Sequence, residues 1–173
     1  MTWSRLVGLG KCPGVRPIGI GDILRRLFAK FLLIDVDKEA TRAYGTDQLC
    51  CRLETGNEGG IHHMRSMWDE HESDEEDWGV LLIDAKNDFN EGNRKMIFCV
   101  VRHKWPSGAR FTFNLYRHQS VLVVRGESKT KTIFLHSSEG LIQGCPLAML
   151  GYGILLRPLI ITLKIDFPEV KPQ

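Results

Sequence analysis

From Asp22 onward the apolar positions follow a helical repeat. Ile23, Leu24, Leu27, Phe28, Phe31 and Leu32 recur at i, i+1, i+4 and i+5, while Arg25, Arg26 and Lys30 take the other side. The spacing predicts a helix that turns its apolar side to a core, with Asp22 placed to cap its N-terminus. Upstream, KCPGVRPIGIG (residues 11–21) is rich in Pro and Gly, and Pro17 keeps Arg16 out of the helical region. An extended strand or loop is predicted there, with Lys11 and Arg16 on it.

Ile61, Met64 and Trp68 are spaced for a second helix over residues 60–70, which runs into an acidic stretch. WGVLLID (78–84) is a short, unbroken apolar run, the pattern of a strand covered on both faces. It puts Asp84 at a strand's C-terminal end, where a rigid sheet holds site residues and loops admit substrate. Met96, Ile97, Val100 and Val101, with Asn90 and Asn93 as candidate caps, predict a helix ending before Pro106. WPSGAR (105–110) reads as a turn. The apolar or β-branched runs 120–125 and 131–135 flank GESK and predict a hairpin. GLIQGCP (140–146) is a loop leading into an apolar segment, 147–164, where Pro146 suits a first helical turn and Pro158 should kink or break the helix.

Composition narrows the class. The 173 residues are 43% apolar and 25% charged, enough for one core of ordinary size in a soluble globular protein. No basic-then-apolar signal pattern opens the chain, and the apolar stretch 147–156 is stopped by Arg157 and Pro158 short of a membrane span. A soluble intracellular protein without a membrane partner is expected. Cys12, Cys50, Cys51, Cys99 and Cys145 form no C-x-x-C pair, and the spacings of His62, His63 and His71 do not match a ligand pair on one helix face. Neither a disulfide framework nor a zinc site is signalled.

The net charge of +2 hides an asymmetry. DEHESDEED (69–77) holds seven of the 21 acidic residues, so the rest of the chain has 14 acidic residues against 23 Lys and Arg, an excess of nine. A basic body with one acidic, solvated loop favours a polyanionic partner. GLGKCPG (8–14) is not a phosphate-binding P-loop, because Arg5 and Cys12 stand where that motif needs Gly and Ser or Thr.

Four features follow one another in order: basic residues on an extended VRPIGI, an apolar run closing in IDAKNDF, a hairpin, and SSEGLIQGCPLAM. In that order, over residues 11–164, the chain resembles the reverse transcriptases, most closely those of retroelements (retrotransposons) and group II introns. The resemblance implies an α+β fold, a partial right-hand polymerase with fingers and the first half of the palm. It implies one partial domain over 1–173: fingers elements (1–77), a palm strand with the first metal Asp (78–92), a helix and hairpin returning toward the fingers (93–142), and the palm helix (143–173).

Site residues follow from the resemblance one by one. Asp84 stands at the catalytic carboxylate that binds both Mg²⁺ ions, hard cations that prefer carboxylate oxygen. Phe89 matches the aromatic gate beneath the sugar of the incoming nucleotide, which rejects a 2′-hydroxyl. Arg16 matches the fingers Arg that grips the triphosphate, with Lys11 assisting it. Gln143, Gly144 and Pro146 match the QG-x-P turn against nucleotide and template, where a Gly lets the backbone come close to the base pair. The implied partners are an RNA template, a DNA primer and a dNTP. The implied reaction is nucleotidyl transfer by an RNA-directed DNA polymerase.

The departures matter as well. Asp88 stands where many relatives have a small apolar residue. The sequence contains no Asp-Asp pair, so the aromatic-x-Asp-Asp turn that supplies the family's other two metal carboxylates is not among these residues, nor is the thumb. One carboxylate of three carries too little charge to hold two Mg²⁺ ions together. The expectation is a fragment inactive alone that needs a C-terminal part or a partner chain. It should be poorly soluble, with an unpaired strand edge at Asp84 and apolar surface on the helix after Leu147. Two alternatives are a non-catalytic nucleic-acid-binding remnant and an unrelated metal-dependent phosphotransfer enzyme in which Asp84 pairs with Asp88.

Overall fold

The structure, a computed structural model, describes residues 2–45, 48–49, 55–71, 79–126 and 131–169. Among these the chain is α+β, with a four-stranded mixed sheet and seven helices. The sheet order is β2-β1-β3-β4, from β1 (Thr2–Gly10), β2 (Val15–Gly21), β3 (Ser120–Arg125) and β4 (Thr132–Ser137). β1 pairs antiparallel with β2 (Leu6 opposite Gly19) and parallel with β3 (Ser4 opposite Leu122), while β3 and β4 form the antiparallel hairpin expected from their pattern.

Because side chains alternate along a strand, this register divides the sheet into two unlike faces. One carries Ser4, Gly19, Gly21, Ser120 and Leu122 and meets the helices; Ser4 and Ser120 are buried there. The other carries Trp3, Arg5, Arg16, Ile20, Arg125 and Phe134, all exposed to solvent, and Val121, which is buried.

α1 (Ile23–Asp35) is capped as expected, the Arg25 amide donating to Asp22 Oδ1 at 2.8 Å. Most of its expected inner side faces outward, although Leu32 packs against the core. Arg25 and Ala29 face inward, whereas Ile23, Leu24, Phe28 and Phe31 are 80%, 66%, 60% and 58% exposed. Two contacts account for this: the Arg25 guanidinium lies 5.3 Å from the Tyr116 ring centre, and the small, fully buried Ala29 allows close approach. α2 (Asp37–Tyr44) follows directly. α3 (Gly56–His71) is the helix expected around Ile61, lengthened at its start, and it buries no residue. The acidic run beyond His71 falls outside the described residues.

The core lies between α5 (Arg94–Lys104), α6 (Pro106–Tyr116) and the first half of α7 (Ala148–Asp166). α5 is the expected helix, with Asn93 Oδ1 accepting from Met96 N at 3.0 Å. WPSGAR is not a turn: Pro106 opens α6, since its fixed φ and missing N–H suit a first helical turn, and the buried Trp105 ring leaves Gly108 no room for a side chain. α7 continues through Pro158 instead of breaking there, at the cost of one ladder bond. By length and mean hydropathy (1.5) alone α7 could cross a membrane, yet Ala148, Leu150, Gly151, Gly153 and Ile154 are packed into the core.

The strand expected over residues 78–84 does not form in its described part. Residues 79–85 pair with no strand, and Leu81, Leu82 and Ile83 are 83%, 80% and 80% exposed. β1 and β3 instead pair directly through Thr2–Arg5, so the sheet has no interior position between them for this segment.

Candidate functional site

The loop from Gly140 to Pro146 runs along the outer edge of β2. Gly19 N–H donates to the Gln143 carbonyl at 2.7 Å, which ties VRPIGI to QGCP. Ile142 packs its side chain against Gly19, and on the far side Gly144 lies beside Ile18, so the loop wraps around the strand edge. Gly144 has φ +107°, and a Cβ there would lie 2.6 Å from the Gly19 carbonyl. The close approach that requires glycine is therefore to β2 itself. Gln143 and Pro146 are half-buried.

The same loop is fixed to Phe89 at its other end. Leu141 N–H donates to the Phe89 carbonyl at 2.6 Å, and Gly140 N–H to the Gly92 carbonyl at 2.7 Å. Phe89 lies in α4 (Asp88–Glu91), a single turn entered through Asn87 in the left-handed region. Its ring is half-buried and sits 4.9 Å from the Tyr152 ring at 33°.

Asp88 has a definite use in this turn. Its Oδ1 accepts from the Phe89 amide at 2.9 Å, and its carboxylate lies against the Tyr152 hydroxyl. The Tyr152 pKa is pushed up to about 12, first by burial and then by the Asp88 charge and hydrogen bond, both of which disfavour a phenolate. Sequence reasoning missed Tyr152. The available signal was an aromatic between two glycines, Gly151 and Gly153, on the apolar segment after QGCP.

Asp84, Lys11 and Arg16 are all exposed to solvent. Asp84 is exposed on the unpaired segment, five residues before Phe89. Lys11 is exposed in the β1–β2 turn, where its amide donates to the Gly14 carbonyl at 3.0 Å. Arg16 is exposed on β2 opposite Leu9, three residues from Gly19, or about 10 Å along a strand. The structure thus joins Gln143, Gly144 and Phe89 through the main chain and brings β2 to them, with Asp84 exposed five residues before Phe89.

Arg16 shares the open sheet face with Arg5 and Arg125, and no Asp or Glu occupies a strand position on that face. Trp3 and Phe134 meet edge to face there at 6.0 Å. A cleft of 690 Å³ opens over this face, lined by Trp3, Arg5, Ile20, Val123 and Arg125 among others, with the acidic Asp22 at its wall. None of its lining residues belongs to α4 or to the loop 140–146.

Among the described residues no three His, Cys, Asp or Glu side chains come together. A pair of hard cations needs several carboxylates at 2.0–2.6 Å, and among the described residues the exposed Asp84 belongs to no such cluster. Among the described residues the donor set does not fit two Mg²⁺ ions. No family model and no curated protein sequence matches the chain.

Proposed function

We propose that the chain is the nucleotide-facing part of a reverse-transcriptase-type polymerase, fingers elements and the first part of the palm, which holds a dNTP against an RNA template and does not carry out nucleotidyl transfer by itself. The observation that carries this reading is the meeting of three distant motifs: Gly19 of VRPIGI bonded to Gln143, and Leu141, two residues earlier, bonded to Phe89. A polymerase needs these three beside one another, since the incoming nucleotide touches all of them.

In this reading the Arg16 guanidinium grips the triphosphate, a task suited to a planar cation with five donors. Phe89, backed by Tyr152, lies beneath the sugar. The Gln143–Gly144 turn meets the new base pair. Asp84 is the first ligand of a metal set that the described residues do not complete, and the role proposed for this part is to bind and orient.

A second reading, nucleic-acid binding without any catalytic role, is favoured by the open sheet face. Arg5 and Arg125 near the exposed Trp3 and Phe134 rings, with Arg16 farther along the same face, suit a sugar-phosphate strand whose bases stack.

Binding of dNTPs to the chain with a primer–template duplex tests both. The first reading expects the dNTP complementary to the template to be held more tightly than the other three, with Arg16→Ala or Gln143→Ala weakening it about tenfold or more. Duplex binding with equal or no retention of all four dNTPs leaves the second reading and removes the first.

A further inference from the structure

Arg94 is only 5% exposed, and each of its five guanidinium N–H groups has an acceptor. Nε donates to the Gly140 carbonyl at 2.8 Å. Nη1 donates to the carbonyls of Tyr116 (3.4 Å) and His118 (3.3 Å), and Nη2 to Ser137 Oγ and the Glu139 carbonyl, both at 3.2 Å. Its own amide donates to Glu139 Oε2 at 3.0 Å. Its guanidinium also lies 5.4 Å from the Tyr116 ring centre. A lysine has three donors on a flexible stem and could not satisfy this set.

The acceptors are not scattered. Ser137, Glu139 and Gly140 are the last residues before LIQGCP, and Tyr116 and His118 close α6 ahead of β3. Gly140 is held from both sides, its N–H by the Gly92 carbonyl and its carbonyl by Arg94 Nε. At φ +66° it packs against the backbone of Phe89 and Asn90, where a Cβ would collide. The point where the hairpin turns into the Gln143 loop is thus fixed to the α4–α5 junction, next to Phe89. Burial lowers the Arg94 pKa, opposed by Tyr116 and the Glu139 carboxylate, while the nearby Arg25 lowers it further.

We infer that Arg94 is a positioning residue, whose buried guanidinium sets the register of the Gln143–Gly144 turn against both Phe89 and β2. It touches no ligand. It acts through Gly140 on Leu141 and Phe89, and through Gln143 on Gly19. That it positions a nucleotide site rests on the function proposed above; that it sets this register does not.

Amide hydrogen exchange on the folded chain separates the two. In Arg94→Lys, exchange at Gly140, Leu141 and Gly19 should accelerate about tenfold or more relative to Val100 and Val101 in the α5 core. The exposed-site control Arg102→Lys should leave all five unchanged. A merely structural role would speed every amide in step with the loss of global stability, and that outcome, or no change at Gly19, overturns the inference. Should Arg94→Lys not fold, Ser137→Ala removes one acceptor and leaves the guanidinium; a smaller acceleration confined to the same three amides supports the inference, and a uniform one overturns it. The second readout is discrimination between dNTP and rNTP at Phe89, expected to fall in Arg94→Lys. A wild-type chain without template-dependent dNTP binding contradicts the proposed function and still leaves the exchange comparison decisive for Arg94.

Discussion

The Gly19 amide and the Gln143 carbonyl, far apart in sequence, are joined by a 2.7 Å hydrogen bond at the outer edge of β2. It satisfies an edge-strand donor and fixes the QGCP loop to VRPIGI. Gly144 makes this seat possible. Gly144→Ala should destabilise the chain by about 1–3 kcal/mol, because alanine at φ +107° is strained and its methyl would meet the Gly19 carbonyl. Gly10→Ala, at an ordinary φ with open space around it, should change stability by less than about 0.5 kcal/mol. Urea unfolding of both variants checks the contrast.

Tyr152 and Asp88 give a pH-dependent signal. Phenolate absorbance should show Tyr152 ionising at about 12, and Tyr152→Phe should remove that midpoint. Asp88→Asn should lower it only partway toward 10, because burial, the larger cause, remains. The raised folded-state value means that this stabilisation is whole below pH 10 and is lost as pH rises through 12. Since Tyr152 is partly solvated, its size is on the order of 1 kcal/mol. A Tyr152 midpoint that Asp88→Asn leaves unmoved would contradict the contact.

The open sheet face sets a salt dependence. Binding of single-stranded RNA should weaken with salt, and Arg5→Ala or Arg125→Ala should each lower the log–log slope by about 0.7 if each meets one phosphate. Trp3→Ala should weaken binding by about 1–3 kcal/mol with the slope unchanged, because stacking releases no counterions. Filter binding at several salt concentrations distinguishes the two effects.

Asp84 gives a prediction of a different kind. As an exposed residue on an unpaired segment, its replacement by Asn should move stability by less than about 0.5 kcal/mol, and millimolar Mg²⁺ should leave the Tm of the wild-type chain unchanged. A metal-dependent rise in Tm abolished by Asp84→Asn would mean that further ligands gather there.

Much of the fold was legible from local chemistry. Asp22 caps the helix it was expected to cap, Asn93 is the one of the two candidates Asn90 and Asn93 that caps α5, and β3–β4 is the hairpin read around GESK. The failures came where long-range contacts decide. Nothing local says that Arg25 will stack on Tyr116 and turn the apolar side of α1 outward, or that the β1–β3 pairing will leave 79–85 without a strand position. Phe89, Gln143 and Gly144 could be singled out in the sequence because the signal is local, an aromatic after IDAKND and a glycine turn. Tyr152 and Arg94 were not singled out, because one acts by backing Phe89 and the other through backbone carbonyls supplied by remote segments.

The most direct measurement is photo-crosslinking of a dNTP with a photoreactive base, bound opposite its template partner, followed by mapping of the modified peptide. Adducts within residues 16–19, 89–92 or 141–146, reduced by Arg16→Ala and competed by the natural complementary dNTP, are the expected result. Adducts confined to α3 or α7, or labelling that ignores the template base, would contradict a nucleotide site at the junction of VRPIGI, Phe89 and QGCP.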